Sequence, residues 1–123
     1  MSSELDRAVV KSNNTQGIRF GLDYRYSDIN HPTRLYFRCD HYPFMRLGIP
    51  AVWLFSGLTN DYHTYRDVLE LVDYNKLFKV TKLAYITIME VGNMKELLKL
   101  DVNPAVTSRG AHNLKEVSLF QQR

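Results

Sequence analysis

The chain has 123 residues, of which 45% are hydrophobic and 24% charged, so it is long enough and apolar enough to bury one core. This composition excludes a disordered chain and a collagen-like chain. Sixteen Lys and Arg against thirteen Asp and Glu give a net charge of +3, but the basic residues are scattered and no nucleic-acid reader motif accompanies them. We therefore expect no nucleic-acid partner.

Cysteine content and hydropathy narrow the classes further. Cys39 is the only cysteine, so no internal disulfide holds the fold. The longest stretch without charge, residues 47–60, contains a proline and two glycines and is too short to cross a bilayer. The first seven residues lack the apolar core of a signal peptide, which predicts a cytoplasmic protein or a longer precursor that begins upstream.

The first half of the chain predicts a helix followed by a strand. A helix is expected from Ser3 to about Asn13, with Ser3 as its N-cap. Residues 18–26 then alternate between apolar and polar side chains, which is the period of a strand with one buried face. Residues 27–33 are expected to form a loop.

The middle of the chain predicts a short helix, a buried strand and a loop. Asp40 is a plausible N-cap for a helix over residues 41–47, which Gly48 would end. Residues 49–55 are apolar at consecutive positions, as in a strand that is covered on both faces. Residues 56–67 are expected to be a loop.

The pattern of the last third predicts one long helix over residues 74–91, capped by Asp73. Five apolar residues fall on one stripe of this helix and are expected to face the core: Leu77, Val80, Ala84, Ile88 and Val91. A further helix is expected at about residues 94–100, and the polar tail after Pro104 is given little structure. The order of elements predicts an α/β layer whose sheet is at least partly parallel.

Several polar residues flank the apolar segment 49–55. Asp40 and His41 precede it and His63 follows it, so the three could meet at one edge of the sheet as metal ligands. From spacing alone, ordinary surface or capping roles remain open for all three.

Three linked segments in this part of the chain resemble a known family. They are Asp40-His41 with Phe44 after it, Gly48-Ile49-Pro50 at the start of the apolar segment, and Tyr62-His63-Thr64 with Asp67 after it. In this order they resemble the zinc aminopeptidases of peptidase family M28 (clan MH), which include bacterial leucyl aminopeptidases and glutamate carboxypeptidase II. The resemblance implies the C-terminal fragment of a three-layer α/β/α zinc-exopeptidase fold, with few strands and one long covering helix. Residues 1–93 would be a partial domain, and residues 94–123 a C-terminal extension.

The same resemblance implies roles for five residues. His63 is similar to the last ligand of a site with two zinc ions, which activate the water that hydrolyses a peptide bond, and Tyr62 to a tyrosine that hydrogen-bonds the tetrahedral intermediate. Asp40 and His41 would contact ligands or substrate without ligating the metal, and Asp67 would orient the loop that carries His63. For Tyr62 and Asp67, a packed phenol and a loop cap are equally open interpretations.

Most of the ligands that the resemblance implies are missing from the sequence. The family supplies a His-x-Asp motif and a Glu-Glu pair before its last histidine, and the chain contains neither. We therefore expect at most weak zinc binding and no aminopeptidase activity from this chain alone. The parent protein would be periplasmic or secreted and would act on peptides, and the chain would form homo-oligomers or pair with a missing N-terminal portion. Two alternatives stay open: a non-catalytic module for assembly or peptide binding, and an unrelated small metal-binding or nucleic-acid-binding protein.

Overall fold

The computed structural model describes residues 2–15 and 17–101. Three α-helices lie in this part of the chain: α1 (Ser3–Asn13), α2 (His41–Arg46) and α3 (Tyr74–Gly92). Single 3₁₀ turns occur at Arg25–Ser27, Leu35–Phe37 and Leu69–Leu71. The described residues contain no strand, so the predicted α/β class, and with it the three-layer α/β/α arrangement, is wrong for this structure.

The N-cap of α1 lies one residue earlier than the sequence predicts. Ser2, not Ser3, is the N-cap, and its hydroxyl accepts a hydrogen bond from the backbone N–H of Leu5. Ser3 bonds to Asp101 instead. The Asp101 carboxylate accepts hydrogen bonds from the Ser3 backbone N–H at 2.9 Å and from the Ser3 hydroxyl at 2.7 Å. The end of the described chain is therefore fastened to the start of α1.

The long helix α3 lies where the sequence predicts it. The Asp73 side chain accepts a hydrogen bond from the Lys76 backbone N–H at 2.9 Å, which satisfies one of the free donors in the first turn. At the other end, the Asn93 side chain donates to the Met89 carbonyl oxygen at 2.7 Å. The Asp73 cap is the one that the sequence predicts.

Helices α1 and α3 pack against each other and form the larger part of the core. Leu83 and Thr87 are the buried residues of α3, and they share the core with Leu5, Ala8, Val9 and Ile18. The predicted stripe on α3 is wrong in its orientation, because Leu77 is 52% exposed and Ile88 68% exposed. Apolar side chains occur around most of the circumference of α3, so its sequence alone does not show which side is buried. The contact with α1 determines the buried side.

In place of the first predicted strand, residues 18–24 have no regular secondary structure and are hydrogen-bonded to the end of α1. The side chain of Asn13, at the end of α1, accepts a hydrogen bond from the Phe20 backbone N–H and donates one to the Phe20 carbonyl oxygen, both at 2.8 Å. An amide side chain thus makes the two bonds that a neighbouring strand would make. Arg19 has a φ of +48°, which interrupts a regular strand at this point.

The second predicted strand is also wrong. Residues 49–58 have no regular secondary structure and pair with no strand among the described residues. Ile49 and Val52 are about half exposed, so the segment is not covered on both faces as its apolar sequence predicts. Continuous apolar sequence is a weak guide here, because it favours a buried strand only where other strands are present to pair with it.

The end of the described chain differs from its prediction as well. Residues 94–101 contain bends and no helix. They return along α1, where the Lys99 backbone N–H donates to the Glu4 carboxylate at 3.0 Å before Asp101 reaches Ser3. The tail after Pro104 lies outside the described residues. No helix in the described part of the chain is both long enough and apolar enough to cross a membrane.

Candidate functional site

The loop of residues 59–67 carries His63, the residue with the strongest predicted role. Asp61 and Thr64 close the loop, because the Asp61 carbonyl oxygen accepts from both the backbone N–H and the hydroxyl of Thr64, at 2.9 and 2.7 Å. The Asp61 carboxylate also pairs with the Arg66 guanidinium at 3.1 Å. These contacts fix the turn on whose outer side His63 lies.

His63 is exposed and has an unusual backbone conformation. Its φ of +59° lies in the left-handed region, which residues other than glycine rarely adopt. The imidazole ring stacks on the Tyr62 phenol ring, with 4.1 Å between the ring centres and 15° between the planes. Tyr62 is itself 43% exposed, so the stacked pair faces solvent and not a core. A packed phenol is therefore not the environment that the structure gives Tyr62.

Asp67 lies at the end of the same loop but does not orient His63 through its side chain. Its backbone N–H donates to the Thr64 carbonyl oxygen at 3.2 Å. Its exposed carboxylate makes no hydrogen bond or ion pair with the described residues. Asp61 and Arg66 shape the loop instead, and neither is among the residues predicted to be functional. The sequence signal for this loop is the spacing of Asp61 and Thr64, which is typical of a turn closed by a hydroxyl side chain.

Asp40 and His41 lie at the start of α2, in a different environment from the His63 loop. Asp40 occupies the N-cap position, yet its exposed side chain makes no capping hydrogen bond. The His41 ring stacks on Trp53, with 6.0 Å between the ring centres, and meets the Tyr36 ring edge-on at 5.6 Å. Burial lowers the pKa of His41, and its Nδ1 atom is buried with no hydrogen-bond partner among the described residues.

His41 belongs to a row of aromatic rings that ties the middle of the chain together. Trp53 stacks on Phe55 with 4.1 Å between the ring centres, and Phe55 meets Tyr26 edge-on at 5.9 Å. The rings of residues 53 and 55 lie on the same side because side chains two apart in an extended segment point the same way. These ring contacts are not among the sequence predictions, although the spacing of the aromatic residues at 53 and 55 is their signal.

The predicted site residues do not assemble into a metal centre. A zinc ion takes three or four nitrogen, sulfur or oxygen ligands at about 2.0 to 2.3 Å. Within residues 2–15 and 17–101, no group of three or more His, Cys, Asp or Glu side chains could hold a metal ion. His41 contacts aromatic rings and His63 contacts Tyr62, so the two histidines do not share a site with Asp40. The described residues therefore do not fit zinc.

The described surface also has a cleft between α1 and the residues that follow α3. Its volume is about 400 Å³, and it is lined by charged residues of both signs, among them Glu4, Arg7, Lys11 and Lys95. None of the predicted site residues lines it.

Comparison with known proteins places the chain among the peptidases. A sequence model of peptidase family M28 matches residues 3–88, which is most of the chain, and the protein belongs to this family. No curated protein and no solved structure matches the chain. Members of the family are generally zinc-dependent, whereas the described residues of this chain hold no group of metal ligands.

Proposed function

We propose that this chain is the C-terminal portion of a zinc-dependent metallo-aminopeptidase and that it does not hydrolyse peptide bonds on its own. The family match supports a peptidase-like domain. The order of the segments at Asp40-His41, Gly48-Ile49-Pro50 and Tyr62-His63-Thr64 supports the aminopeptidase assignment. The missing His-x-Asp motif and Glu-Glu pair support the absence of activity in isolation.

The observation that carries this proposal is the geometry of His63. Its exposed ring stacks on Tyr62 in a loop closed through Asp61, so the imidazole is accessible as a nitrogen ligand to groups from another part of the protein. One imidazole leaves the other coordination positions of a zinc ion to water, and such a complex is weak. Other protein groups would have to complete any site that uses His63.

The test is an assay of the purified chain on amino-acyl anilides with excess zinc. We expect the rate to equal that of buffer, and we expect no change in the His63→Ala variant. The exposed loop position of His63 makes this substitution mild for folding, and His31→Ala is the matched control. Turnover that His63→Ala abolishes and His31→Ala preserves would refute the proposed inactivity. Zinc that stays bound through gel filtration in the wild type and not in His63→Ala would contradict the predicted weak binding.

A second candidate function is a non-catalytic module that binds peptides, and the backbone of residues 52–58, which is unpaired among the described residues, favours it. The backbone groups of residues 52–58 make no hydrogen bond with the described part of the chain. An extended peptide can add to such a segment as a strand, with main-chain hydrogen bonds providing affinity. Trp53, the only tryptophan, lies inside this segment and reports on it by fluorescence.

Titration of Trp53 fluorescence with short apolar peptides tests the second candidate. We expect a saturable change in the wild type and a weaker one in Val52→Pro, which removes one backbone donor from the segment. Thr59→Pro, just outside the segment, is the matched control. Fluorescence that stays constant up to millimolar peptide would exclude peptide addition at this segment.

A further inference from the structure

Helix α3 exposes a continuous apolar surface on the side that faces away from α1. Six side chains form this surface, which we call the outer face of α3, and each is 47–68% exposed: Tyr74, Leu77, Phe78, Tyr85, Ile88 and Met89. They are spaced by three, four and seven residues, so they lie along one side of the helix. Leu83 and Thr87, the buried residues of the helix, lie on the side that contacts α1.

The area of the outer face suits a protein interface. Its three aromatic side chains, at about 150–250 Å² each when fully exposed, are all about 60% exposed. Together with the three aliphatic side chains, the face offers roughly 600–700 Å² of apolar surface. A standard protein interface buries about 800 Å² per partner, so the outer face and its rim provide nearly all of that area.

We propose that the outer face of α3 binds the same face of a second copy of this chain, with the two helices antiparallel. Thr81 lies at the centre of the face and is the one small exposed residue between Phe78 and Tyr85. A two-fold axis beside Thr81 places Phe78 against the partner's Tyr85. The same axis places Tyr74 against the partner's Met89. Large side chains thus meet on either side of Thr81. Because Thr81 is small, the two helix axes can come close together there.

The helix dipoles favour this antiparallel pairing. An antiparallel arrangement brings the positive N-terminal end of one α3 beside the negative C-terminal end of the other. A parallel arrangement would bring like ends of the two helices together.

A lipid surface is a poorer occupant of the same face. Helices that lie in a membrane interface carry basic residues along the rims of their apolar side, where they reach the headgroups. By helical spacing, Lys76 and Lys79 lie on the side of α3 opposite the outer face, and of the three lysines of α3 only Lys82 lies beside that face. The proposed pairing goes beyond both candidate functions, since it uses neither the His63 loop nor residues 52–58.

Sedimentation velocity of the full chain tests the pairing. We expect a dimer of about twice the 14.4 kDa chain mass at high concentration. The double variant Phe78→Glu/Tyr85→Glu should weaken dimerisation at least tenfold while keeping the far-ultraviolet circular dichroism of α3, because both residues are exposed. Leu97→Glu, at a position that is 89% exposed and outside the face, is the matched control and should dimerise like the wild type. A wild-type monomer from micromolar to millimolar concentration overturns the proposal.

Crosslinking gives an independent measurement of the geometry. In a Cys39→Ser background, Thr81→Cys should form a disulfide between copies on mild oxidation, whereas Lys76→Cys, on the opposite side of the helix, should not. Equal crosslinking of the two variants contradicts the antiparallel arrangement. A chain that stays monomeric in solution but co-sediments with phosphatidylserine vesicles through Phe78 and Tyr85 also overturns the proposal and makes the outer face a lipid-binding surface.

Discussion

The ring of His41 lies against the rings of Trp53 and Tyr36 in the middle of the chain. Its place in the resemblance implies a contact with metal ligands or substrate. The structure places its ring between Trp53 and Tyr36, with Nδ1 buried and without a hydrogen-bond partner in the described part of the chain. The burial of His41 is therefore expected to affect the stability of the fold.

We expect acid to destabilise the protein through His41. Burial lowers the pKa of His41 from its ordinary value of 6.5, because the charged imidazolium loses hydration. In the unfolded chain the ordinary pKa returns, so the unfolded state takes up the proton first as the pH falls. The free energy of unfolding should thus begin to fall near pH 6.5 and stop falling below the lowered pKa of the folded state.

Urea unfolding from about pH 7.5 to about pH 4.5 measures this effect. His41→Phe keeps an aromatic ring between Trp53 and Tyr36 and should remove the part of the pH dependence that His41 causes. His63→Phe, the same substitution at an exposed position, is the matched control. Identical profiles for the wild type and His41→Phe would show that burial of His41 does not couple to stability.

At the scale of the elements, the cap of α3 is the best-defined local feature. We expect Asp73→Ala to lower the free energy of unfolding by about 1 kcal/mol, because the backbone N–H of Lys76 loses its acceptor at the start of the helix. Asn75→Ala, at an exposed position in the first turn, is the matched control and should be nearly neutral. Thermal and urea unfolding followed at 222 nm measure both variants, and equal stability of the two would contradict a capping role for Asp73.

The helices of this chain are predictable from its sequence, whereas its predicted strands are wrong, for a physical reason. Helices α1, α2 and α3 were predicted to within one or two residues, because capping residues and helical periodicity act locally. The strands at 18–26 and 49–55 were predicted wrongly, since a strand exists only through hydrogen bonds to distant residues. For residues 18–26, the side chain of Asn13 makes those bonds instead.

The candidate site was predictable only in its parts. The loop that carries His63 follows from local sequence, as does the place of Asp40 at the start of α2. The left-handed backbone of His63, its stack on Tyr62 and the separate aromatic surroundings of His41 depend on tertiary contacts that no spacing reveals. The family itself was correctly predicted from the order of the segments.

On the scale of the whole molecule, the described core has two parts. The first lies between α1 and α3 and contains Leu83, which is 2% exposed. The second lies around α2, where Met45 is also 2% exposed and its sulfur accepts a hydrogen bond from the Ala51 backbone N–H at 3.3 Å. Because each part is small, neither provides the stability of a full-sized domain core.

We expect the two parts of the core to respond separately to truncation. Leu83→Ala should cost about 2–5 kcal/mol, a large share of the roughly 5–15 kcal/mol that stabilises a typical domain, and should lower the urea midpoint followed by circular dichroism at 222 nm. Met45→Ala should first lower the midpoint followed by Trp53 fluorescence, because α2 and the segment of Trp53 lose their shared contact while α1 and α3 stay packed. Leu97→Ala, at an exposed position, is the control. Equal shifts of both signals in both core variants would show that the two parts unfold as one cooperative unit.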